Sequence, residues 1–357
     1  MKILHVISNL NLAGAQTMCR NLTLALKFRG EDVQVVSLFD TSNAITKQLE
    51  DNGIKVLCLG KKKGADLSIF RKLHKVFKRE HPDIIHVHGA ALKYAGPASL
   101  FIKAKIVHTL HSLANMEGGK VNGFINRLSY KIKRVHPAAL TPIVRDSISK
   151  KYRIKKENIP VVYNGVDLSS CVVKQSYEVN NNFTILHIGR FDKEKNHIGL
   201  INAFELFLSE FPDSNLNLIG GGLLENEIKA FVHEKRLDDH VHFLGMQSNV
   251  YPYLNKADIF ALPSTLEGMP MTLIEAMGTG LPIVATPVGG VPDMLTDGVN
   301  AIFAKINDSS IADALLMYAK NEKLREKIGK QALLDSKVFS SQNMANSYYE
   351  FYKKILT

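Results

Sequence analysis

Two glutamates with seven residues between them stand in a turn-rich segment, residues 264–290, with the sequence STLEGMPMTLIEAMGTGLPIVATPVGG. The pattern places Glu267 on a loop with Gly268, and Glu275 inside a helix that begins at Met271. The start of such a helix offers free backbone N–H groups and the positive end of the helix dipole, which together bind anions. A carboxylate one turn into the helix can accept hydrogen bonds from a diol, as the acidic residue of dinucleotide-binding domains does. A capping glutamate and a solvated glutamate are the simpler interpretations of each residue alone, but the Gly-Leu-Pro and Pro-Val-Gly-Gly turns that follow favour a ligand site.

Two cations follow the predicted strand that ends at Gly189, in the sequence ILHIGRFDKEKNHIGLINAF. Arg190 and Lys195 lie on the connection to the next helix, at the carboxyl end of the strand, where parallel sheets bind their ligands. A guanidinium chelates two phosphate oxygens and an ammonium supplies a point charge, so the pair is suited to a pyrophosphate. Because Asp192 and Glu194 share the loop, a solvated loop of mixed charge is the alternative interpretation.

Gly14 stands where the first strand gives way to the first helix, in the sequence NLAGAQTM. A residue without Cβ lets the backbone approach a phosphate or a sugar ring, although a plain turn is the simpler interpretation of a single glycine. The chain contains neither the GxGxxG fingerprint of nicotinamide-dependent enzymes at this point nor a GxxxxGK[ST] phosphate loop.

Four histidines follow or occupy two neighbouring strands. His86 and His88 lie on one face of a strand, and His108 and His111 belong to the next strand and its end. A His-x-His pair can bind zinc, but no paired cysteine or carboxylate ligand stands nearby, and no metal is predicted. His111, just past its strand, is predicted to point into a cleft and to hydrogen-bond a substrate hydroxyl, with a loop histidine of no function as the alternative.

Length and periodicity indicate two domains of the same kind. With 357 residues, the chain exceeds the roughly 250–300 residues at which a single core stops growing. Residues 1–168 alternate short β-rich runs with helical patterns, and a second such series follows a polar segment, residues 169–182, that is predicted to be a linker. The predicted fold is therefore α/β, with two doubly wound, parallel-sheet, Rossmann-like domains that face a cleft. The second domain is predicted to span residues 169–340.

Composition excludes several classes of protein. Hydrophobic residues make up 45% and charged residues 22%, which is typical of a folded globular protein. No apolar run reaches the ~18 residues of a membrane span, and the amino terminus lacks the pattern of a signal peptide. The three cysteines, Cys19, Cys58 and Cys171, are far apart and odd in number, which predicts thiols in a reducing cytoplasm.

The net charge of +11 is unevenly distributed. Residues 1–168 hold 28 Lys/Arg and 12 Asp/Glu, a net +16, whereas residues 169–357 have a net −5. Segment 120–134 is basic, amphipathic and aromatic, and is predicted to lie on an anionic membrane surface, whereas the basic segment 61–80 is predicted to support the sheet. A core-facing helix with a solvated basic face is the alternative for each. Nucleic acid is disfavoured as a partner, because no helix-turn-helix, RNP or zinc-finger pattern occurs.

Taken together and in order, several motifs resemble family 4 (group 1) glycosyltransferases of the GT-B fold. They are Ala-Gly-Ala near the amino terminus, DIIHVHG, VHTLHS, VVYNGVD, IGRFDKEKN, LIGGG, FLG and EGMPMTLIEAM. The resemblance covers nearly the whole chain, and its most specific parts are the two glutamates and the Arg/Lys pair. It implies a retaining, metal-independent transfer of a sugar from a nucleotide diphosphate sugar, without a cofactor. It also implies that the helix in residues 341–357 crosses back to the first domain, with a helix that stays on the second domain as the alternative.

The resemblance also assigns roles to particular residues. Glu275 resembles the residue that binds the donor's ribose hydroxyls, and Glu267 the acid that contacts the donor sugar. Arg190 and Lys195 would neutralise the leaving diphosphate, and His111 is similar to the family's histidine near the reacting sugar. Further contacts to the donor are implied for backbone groups of Gly14, Gly268, Met269, Met271, Thr272 and Leu273.

Three positions depart from the family pattern: Ala13 and Ala301 each replace a glycine, and Asp293 replaces a glutamate. None of them removes a charged donor-site position, so activity is expected. The predicted reaction uses a UDP-sugar and a membrane- or lipid-linked glycan acceptor in bacterial polysaccharide, capsule or O-antigen synthesis. The predicted location is cytoplasmic, peripheral on the inner face of the cytoplasmic membrane. A nucleotide-sugar epimerase or a sugar phosphorylase of the same architecture is the alternative, and a basic nucleic-acid-binding protein a more remote one.

Overall fold

The computed structural model describes residues 1–64, 66–117, 119–132, 134–179 and 182–357, with only the backbone of Lys120. These residues form two compact units. The N-terminal unit comprises Met1–Val166 and Ser340–Thr357, and the C-terminal unit comprises Asp167–Phe339. Among the described residues, none of the helices combines the length and the apolar character that crossing a bilayer requires.

The N-terminal unit is built on a six-stranded, fully parallel sheet in the order β3-β2-β1-β4-β5-β6. The strands are β1 Lys2–Ile7, β2 Asp32–Ser37, β3 Lys55–Cys58, β4 Ile84–His88, β5 Lys105–Leu110 and β6 Val135–Ala139. The helices between and after them are α1 Gly14–Phe28, α2 Ala44–Asp51, α3 Ser68–Glu80, α4 Leu92–Ala98, α5 Gly119–Lys131 and α6 Pro142–Tyr152. This strand order is that of dinucleotide-binding domains, in which ligands bind where the order reverses, between β1 and β4.

The C-terminal unit repeats this topology with a different sequence. Its strands are β7 Thr184–Ile188, β8 Asn215–Ile219, β9 Val241–Phe243, β10 Ile259–Leu262, β11 Ile283–Ala285 and β12 Ile302–Phe303. Its helices are α7 His197–Leu208, α8 Glu225–Glu234, α9 Tyr251–Lys256, α10 Met271–Thr279, α11 Asp308–Ala319 and α12 Glu322–Ser336. The parallel order β12-β11-β10-β7-β8-β9 places the reversal point between β7 and β10. The prediction of two doubly wound, Rossmann-like domains is confirmed.

Amphipathic patterning explains why the basic helix α3 packs on its sheet. Its apolar positions Ile69, Leu73 and Phe77 are fully buried, while the lysines and arginines between them face solvent. Apolar residues three and four positions apart form one stripe of a helix, and burying that stripe against the sheet removes it from water. Segment 61–80 therefore supports the sheet, as predicted.

The last helix, α13 Ser341–Leu356, belongs to the N-terminal unit and packs against α1. Two tyrosines one turn apart, Tyr348 and Tyr352, are fully buried under the sheet. The hydroxyl of Tyr348 lies 2.7 Å from Thr109 Oγ1, and that of Tyr352 lies 2.6 Å from His86 Nδ1. Side chains of the carboxyl-terminal helix thus satisfy polar groups on β4 and β5.

The prediction of a linker at residues 169–182 is wrong for the residues that the structure describes. Tyr177 is buried and donates its hydroxyl to the Gly280 carbonyl at 2.8 Å, and Arg325 donates twice to the Tyr177 carbonyl. Lys174 donates to the Ala257 carbonyl at 2.7 Å. The polar residues that suggested a linker therefore anchor this segment to the C-terminal unit by hydrogen bonds. Asn180 and Asn181, at its end, lie outside the described residues.

Candidate active site

In the C-terminal unit, the loops after β7 and β10 bring Lys195 and Glu267 together. Lys195 ends a short 3-10 turn before α7, and its Nζ lies 2.6 Å from Glu267 Oε1. Ser264 Oγ donates to the same carboxylate oxygen at 2.6 Å. Because these two loops flank the reversal point of the sheet, the pair lies where the topology places a ligand.

This ion pair is largely shielded from water. The side chains of Lys195 and Glu267 are 16% and 8% exposed. Removing one partner of a buried pair leaves an uncompensated charge, which costs far more than the pair contributes. Lys195 and Glu267 therefore act as a unit, with the ammonium holding the carboxylate in one position.

Arg190 is the exposed cation of this site. Its side chain is 73% exposed, and its Nη2 lies 3.0 Å from Asp192 Oδ2. Burial raises the pKa of Asp192, and the nearby Arg190 opposes that rise. A guanidinium held at one edge by a carboxylate keeps other N–H groups that can face a phosphate.

Two glycines allow the backbone around this pair to approach closely. Gly289 has φ +55°, and a Cβ at this position would lie 1.8 Å from the Glu267 carbonyl oxygen. Gly220 has φ +146°, and a Cβ there would lie 1.9 Å from the Gly189 carbonyl oxygen. Only glycine fits such positions, and both contacts fix the loops that carry the charged residues.

The amino terminus of α10 is open to a ligand. Pro270 precedes it in extended conformation, no described side chain caps it, and its first turn contains no acidic residue. Its first N–H groups, those of Met271, Thr272 and Leu273, have no partner within the helix and carry the positive end of its dipole. Glu275, one turn further along α10, is buried. Met269 and Met271 are also buried, whereas Gly268 and Thr272 are half-buried.

Gly14 lies at a helix start in the N-terminal unit, as the first residue of α1 rather than in a loop before it. Ala13, which precedes α1, is in extended conformation and ends the loop after β1. Gly14 is exposed, and none of the described atoms lies within 4 Å of the position of a Cβ. The amino terminus of α1 also lacks a side-chain cap among the described residues.

Three histidines of the N-terminal unit are joined by hydrogen bonds. His5 Nδ1 lies 3.0 Å from His88 Nε2, and His88 Nδ1 lies 3.2 Å from His111 Nε2. His5 and His88 are buried in the sheet, and His111 is half-buried at the end of β5. His86 stacks on His88 with ring centroids 4.4 Å apart, and its own nitrogens are engaged by hydroxyl groups.

Burial keeps this histidine cluster neutral. It lowers the pKa of His5 and, with a smaller effect of His108, that of His111, each to about 3. It also lowers the pKa of His86 and His88 well below the usual value. Charging one imidazole would require removing a cation from water beside other imidazoles, which the fold disfavours.

Glu117 lies beside His111 and was not predicted. Its Oε1 accepts a hydrogen bond from the His111 backbone N–H at 2.8 Å, and its buried Oε2 has no partner among the described residues. Burial raises the pKa of Glu117 to about 8, against the opposing effects of that hydrogen bond and of Lys151. The carboxyl group thus fixes the backbone that carries His111.

The side chains of His5, His86 and His88 could together hold a metal ion, since one nitrogen of each lies within 4.8 Å of the others. Each nitrogen of His86 is, however, within 2.7 Å of a hydroxyl oxygen, from Tyr352 or Thr109. Metal binding would have to break those buried hydrogen bonds. The sequence prediction of a metal-free site remains a prediction.

The structure thus separates the predicted residues into two groups. Lys195, Glu267 and the loop of Arg190 meet in the C-terminal unit, and Glu275 lies in the same unit on α10, the helix that follows the loop of Glu267. Gly14 and His111 belong to the N-terminal unit. Sequence reasoning missed Ser264, Glu117 and His5, although a histidine within the apolar run of β1, KILHVI, is a signal that could have been noticed.

Two doubly wound, parallel-sheet domains in one chain are the architecture of the GT-B fold. The family described as Glycosyltransferase Family 4 matches residues 12–170, and that described as Glycosyl transferases group 1 matches residues 173–334. The chain belongs to the family 4 (group 1) glycosyltransferases, and it is a hexosyltransferase.

Individual relatives agree with this assignment. The chain is 29% identical over 306 residues to N-acetyl-alpha-D-glucosaminyl L-malate synthase of Bacillus anthracis, covering 82% of this chain and 80% of that protein. It is 26% identical over 342 residues to UDP-Gal:alpha-D-GlcNAc-diphosphoundecaprenol alpha-1,3-galactosyltransferase of Escherichia coli, covering 88% and 87%.

Solved structures show the same fold. Anabaena Alr3699/HepE in complex with UDP and glucose superposes with a TM-score of 0.86 at 21% identity, covering 99% of both chains. A glycosyltransferase from Rickettsia africae gives a TM-score of 0.83 at 19% identity, covering 100% of this chain and 98% of the other.

Proposed function

We propose that this hexosyltransferase is retaining and metal-independent, and that it transfers a sugar from a UDP-sugar to a lipid-linked glycan acceptor in bacterial polysaccharide synthesis. The observation that carries the donor half of this proposal is the cluster of positive groups at the reversal point of the C-terminal unit. The exposed guanidinium of Arg190 and the open amino terminus of α10 are available there, and Lys195, although paired with Glu267, adds a third positive group on the same loop as Arg190.

The charge that develops in the reaction explains why such groups suffice. Departure of a nucleoside diphosphate leaves a second negative charge on its terminal phosphate, and preorganised donors aimed at that charge lower the barrier. Arg190 can chelate two phosphate oxygens, and the first N–H groups of α10 supply a fixed dipole. The protein's own groups thus do the work that a divalent cation does elsewhere, which supports metal independence.

Glu267 and Glu275 serve the sugar and the ribose in this proposal. The ammonium of Lys195 and the hydroxyl of Ser264 hold the Glu267 carboxylate, so that it can accept a hydrogen bond from a donor hydroxyl in a fixed direction. Glu275 lies one turn inside α10, where a carboxylate can meet a ribose diol.

The comparisons support the finer parts of the proposal. The E. coli relative is a UDP-galactose-dependent transferase with a diphosphoundecaprenol acceptor and an alpha linkage, and the HepE structure contains UDP and glucose. UDP-galactose itself carries an alpha-linked sugar, so an alpha product supports retention of configuration.

The donor is tested by a thermal-shift screen of UDP- and GDP-sugars. The cognate UDP-sugar is expected to stabilise the protein, by about 2.7 kcal/mol at a hundredfold excess over Kd.

With that donor, Arg190→Ala is expected to lower turnover by about 10²-fold or more, whereas Lys193→Ala, which removes an exposed lysine of the same loop, should leave it unchanged. Full activity should persist in EDTA. Near-normal turnover of Arg190→Ala would overturn the leaving-group assignment, and an epimerised donor without transfer would favour the epimerase alternative.

The acceptor half of the proposal rests on α5, an amphipathic helix with its apolar side outward. Phe124 is 70% exposed, and Val121, Leu128 and Ile132 at helical spacing are also exposed. The opposite side buries polar side chains, those of Asn122, Asn126 and Ser129 together with Tyr130. An apolar stripe that faces solvent and is bordered by polar residues marks a surface that binds a membrane or a partner.

Basic side chains flank the exposed apolar residues of α5. Arg127 and Lys131 are exposed beside them. Arg134 donates to the Ser99 and Ile102 carbonyls, at 2.9 and 2.6 Å, and so holds the intervening loop with the exposed Phe101 near the end of α5. Apolar side chains beside basic ones are complementary to an anionic membrane surface, which contributes about 1 kcal/mol per lysine or arginine. The alternative of a core-facing helix does not fit the exposure of Phe124. Lys133, in the same segment, lies outside the described residues.

We therefore propose that α5 docks the enzyme on the inner face of the cytoplasmic membrane, where a lipid-linked acceptor would be within reach. The three free cysteines agree with a reducing compartment. No cofactor is proposed.

Vesicle co-sedimentation tests this docking. The protein is expected to bind vesicles containing anionic lipid at low salt, and Leu128→Ser should weaken that binding severalfold. The matched control is Leu223→Ser, which removes a fully exposed leucine of the C-terminal unit. Failure of the unmodified protein to sediment, or an equal loss in both variants, would overturn membrane docking without affecting the donor assignment.

A further inference from the structure

A chain of three imidazoles runs from the middle of the N-terminal sheet to its ligand-binding edge. His5 lies on β1, His88 ends β4 and His111 follows β5, so that the chain crosses the reversal point of the sheet. The two links, of 3.0 Å and 3.2 Å, each join Nδ1 of one ring to Nε2 of the next. Glu117 holds the backbone of the last ring through its N–H.

The chemistry of neutral imidazole makes this chain directional. A neutral ring has one N–H donor and one bare nitrogen acceptor, and burial keeps all three rings neutral. Each link needs one donor and one acceptor. Since both links have the same Nδ1-to-Nε2 sense, the proton must sit on the same nitrogen type in all three rings.

The inner end of the chain selects between the two possible directions. His5 Nε2 is buried and has no hydrogen-bond partner among the described residues. If the protons were on Nε2, this atom would be a buried N–H group without an acceptor, a situation that folded proteins rarely tolerate. With the protons on Nδ1, His5 donates to His88 and His88 donates to His111.

We propose that His5 and His88 are positioning residues that fix His111 in its Nδ1–H tautomer, so that His111 presents a hydrogen-bond donor to a sugar oxygen. His111 Nδ1 has no partner in the described part of the chain, so its N–H is available. That the acceptor of this hydrogen bond belongs to a sugar substrate rests on the proposed function; the tautomer itself does not.

His86 lies outside this chain although it is adjacent to it. It stacks on His88, but its two nitrogens are engaged by the hydroxyls of Tyr352 and Thr109. Both residues are buried histidines on β4. His86 therefore provides the matched control for substitutions of His88.

The test is the tautomeric state of His111 in the full-length protein, measured by NMR with 15N-labelled histidine in EDTA. In the unmodified protein, His5, His88 and His111 are all expected to have a protonated Nδ1 and a bare Nε2. His88→Phe keeps an aromatic ring in place but removes the hydrogen bond to His111, which should then become a mixture of tautomers. His86→Phe should leave the Nδ1–H state of His111 unchanged. An Nε2–H state of His111 in the unmodified protein would overturn the proposal, even if His88→Phe failed to fold.

Kinetics provide the second measurement. Loss of a positioning partner typically lowers activity by about 10–100-fold, so His88→Phe should lower kcat by that factor with little change in the KM of the donor. Equal effects of His86→Phe and His88→Phe would indicate a merely structural role and contradict the proposal. If no sugar transfer were found at all, the proposed function would fail while the NMR result still decided the tautomer.

Coordinated shifts of His5, His86 and His88 on adding Zn²⁺ at stoichiometric concentration would instead reveal a metal site and overturn the hydrogen-bonded chain.

Discussion

The two units share one topology but place opposite chemistry at the same point of it. In the N-terminal unit, neutral imidazoles of His5 and His88 cross the reversal point between β1 and β4. In the C-terminal unit, the charged pair of Lys195 and Glu267 occupies the loops after β7 and β10. Strand order thus determines where a site forms, and the side chains alone determine what it can bind.

The difference follows from how each unit handles burial. A histidine within a strand of the sheet can lose its charge at little cost, since its ordinary pKa is near neutrality. A lysine and a glutamate keep their charges only when they meet, and Lys195 and Glu267 do so at 2.6 Å. The N-terminal unit can therefore offer directed but uncharged hydrogen bonds, whereas the C-terminal unit offers charge.

The largest expected effect comes from removing the charge of the C-terminal site. Lys195→Ala should lower turnover by about 10²-fold or more, and should destabilise the protein by about 3–5 kcal/mol because Glu267 remains buried and unpaired. Turnover with the cognate donor and urea unfolding measure the two effects. The double variant Lys195→Ala/Glu267→Ala should recover much of the stability and none of the activity. A stable, active Lys195→Ala variant would contradict the inference that the C-terminal unit, unlike the N-terminal unit, depends on a buried charged pair.

The glycines at the two sites should respond differently to a methyl group. Gly289→Ala should lower the free energy of unfolding by more than about 2 kcal/mol, because φ is positive and the Cβ would meet the Glu267 carbonyl. Gly14→Ala should be neutral or stabilising by up to about 1 kcal/mol, because the site is open and lies in a helix. Chemical denaturation compares the two, and equal losses would contradict the close backbone approach inferred at Gly289.

Acid should destabilise the protein, chiefly through the N-terminal unit. The folded pKa of His5 and of His111, about 3, is lower than the ordinary value of 6.5, so the unfolded chain binds more protons between these values. Stability is then full above about pH 6.5 and falls as the pH decreases toward 3, by about 1–2 kcal/mol per histidine between pH 6.5 and 5. Urea unfolding at pH 7 and pH 5 measures the loss, and His5→Phe should reduce it. If the free energy of unfolding of that variant kept the same pH dependence, the inference that the buried imidazole of His5 is neutral would be contradicted.

Glu117 should show the opposite dependence, with a smaller effect. Its folded pKa of about 8 exceeds the ordinary value of 4.5, so the folded chain binds more protons between these values and the contribution of Glu117 to stability is lost as the pH rises from 4.5 to 8. Glu117→Gln should therefore remove this decline, which urea unfolding at pH 5 and pH 8 measures, and an unchanged difference between the two pH values would contradict the raised pKa.

Much of the proposed donor site follows from local sequence. Arg190, Lys195, Glu267 and Glu275 stand at strand ends and helix starts that periodicity and turn residues reveal, because these signals act over a few neighbouring residues. The local polarity of the segment after residue 168 predicts a linker, because it carries no information on distant partners. Its hydrogen bonds, such as that from Tyr177 to the Gly280 carbonyl, join positions far apart in sequence.

The sequence by itself determined the two alternating strand–helix series, the positive half of the chain and the charged residues of the proposed donor site. Only the tertiary structure decided that α5 turns its apolar side outward, that Lys195 is paired with Glu267, and that His5, His88 and His111 are joined by hydrogen bonds. The last two depend on which strands are neighbours in a parallel sheet. Parallel neighbours are separated by a crossover in the sequence, so side chains 23 to 83 residues apart come within hydrogen-bond distance only when the sheet is complete.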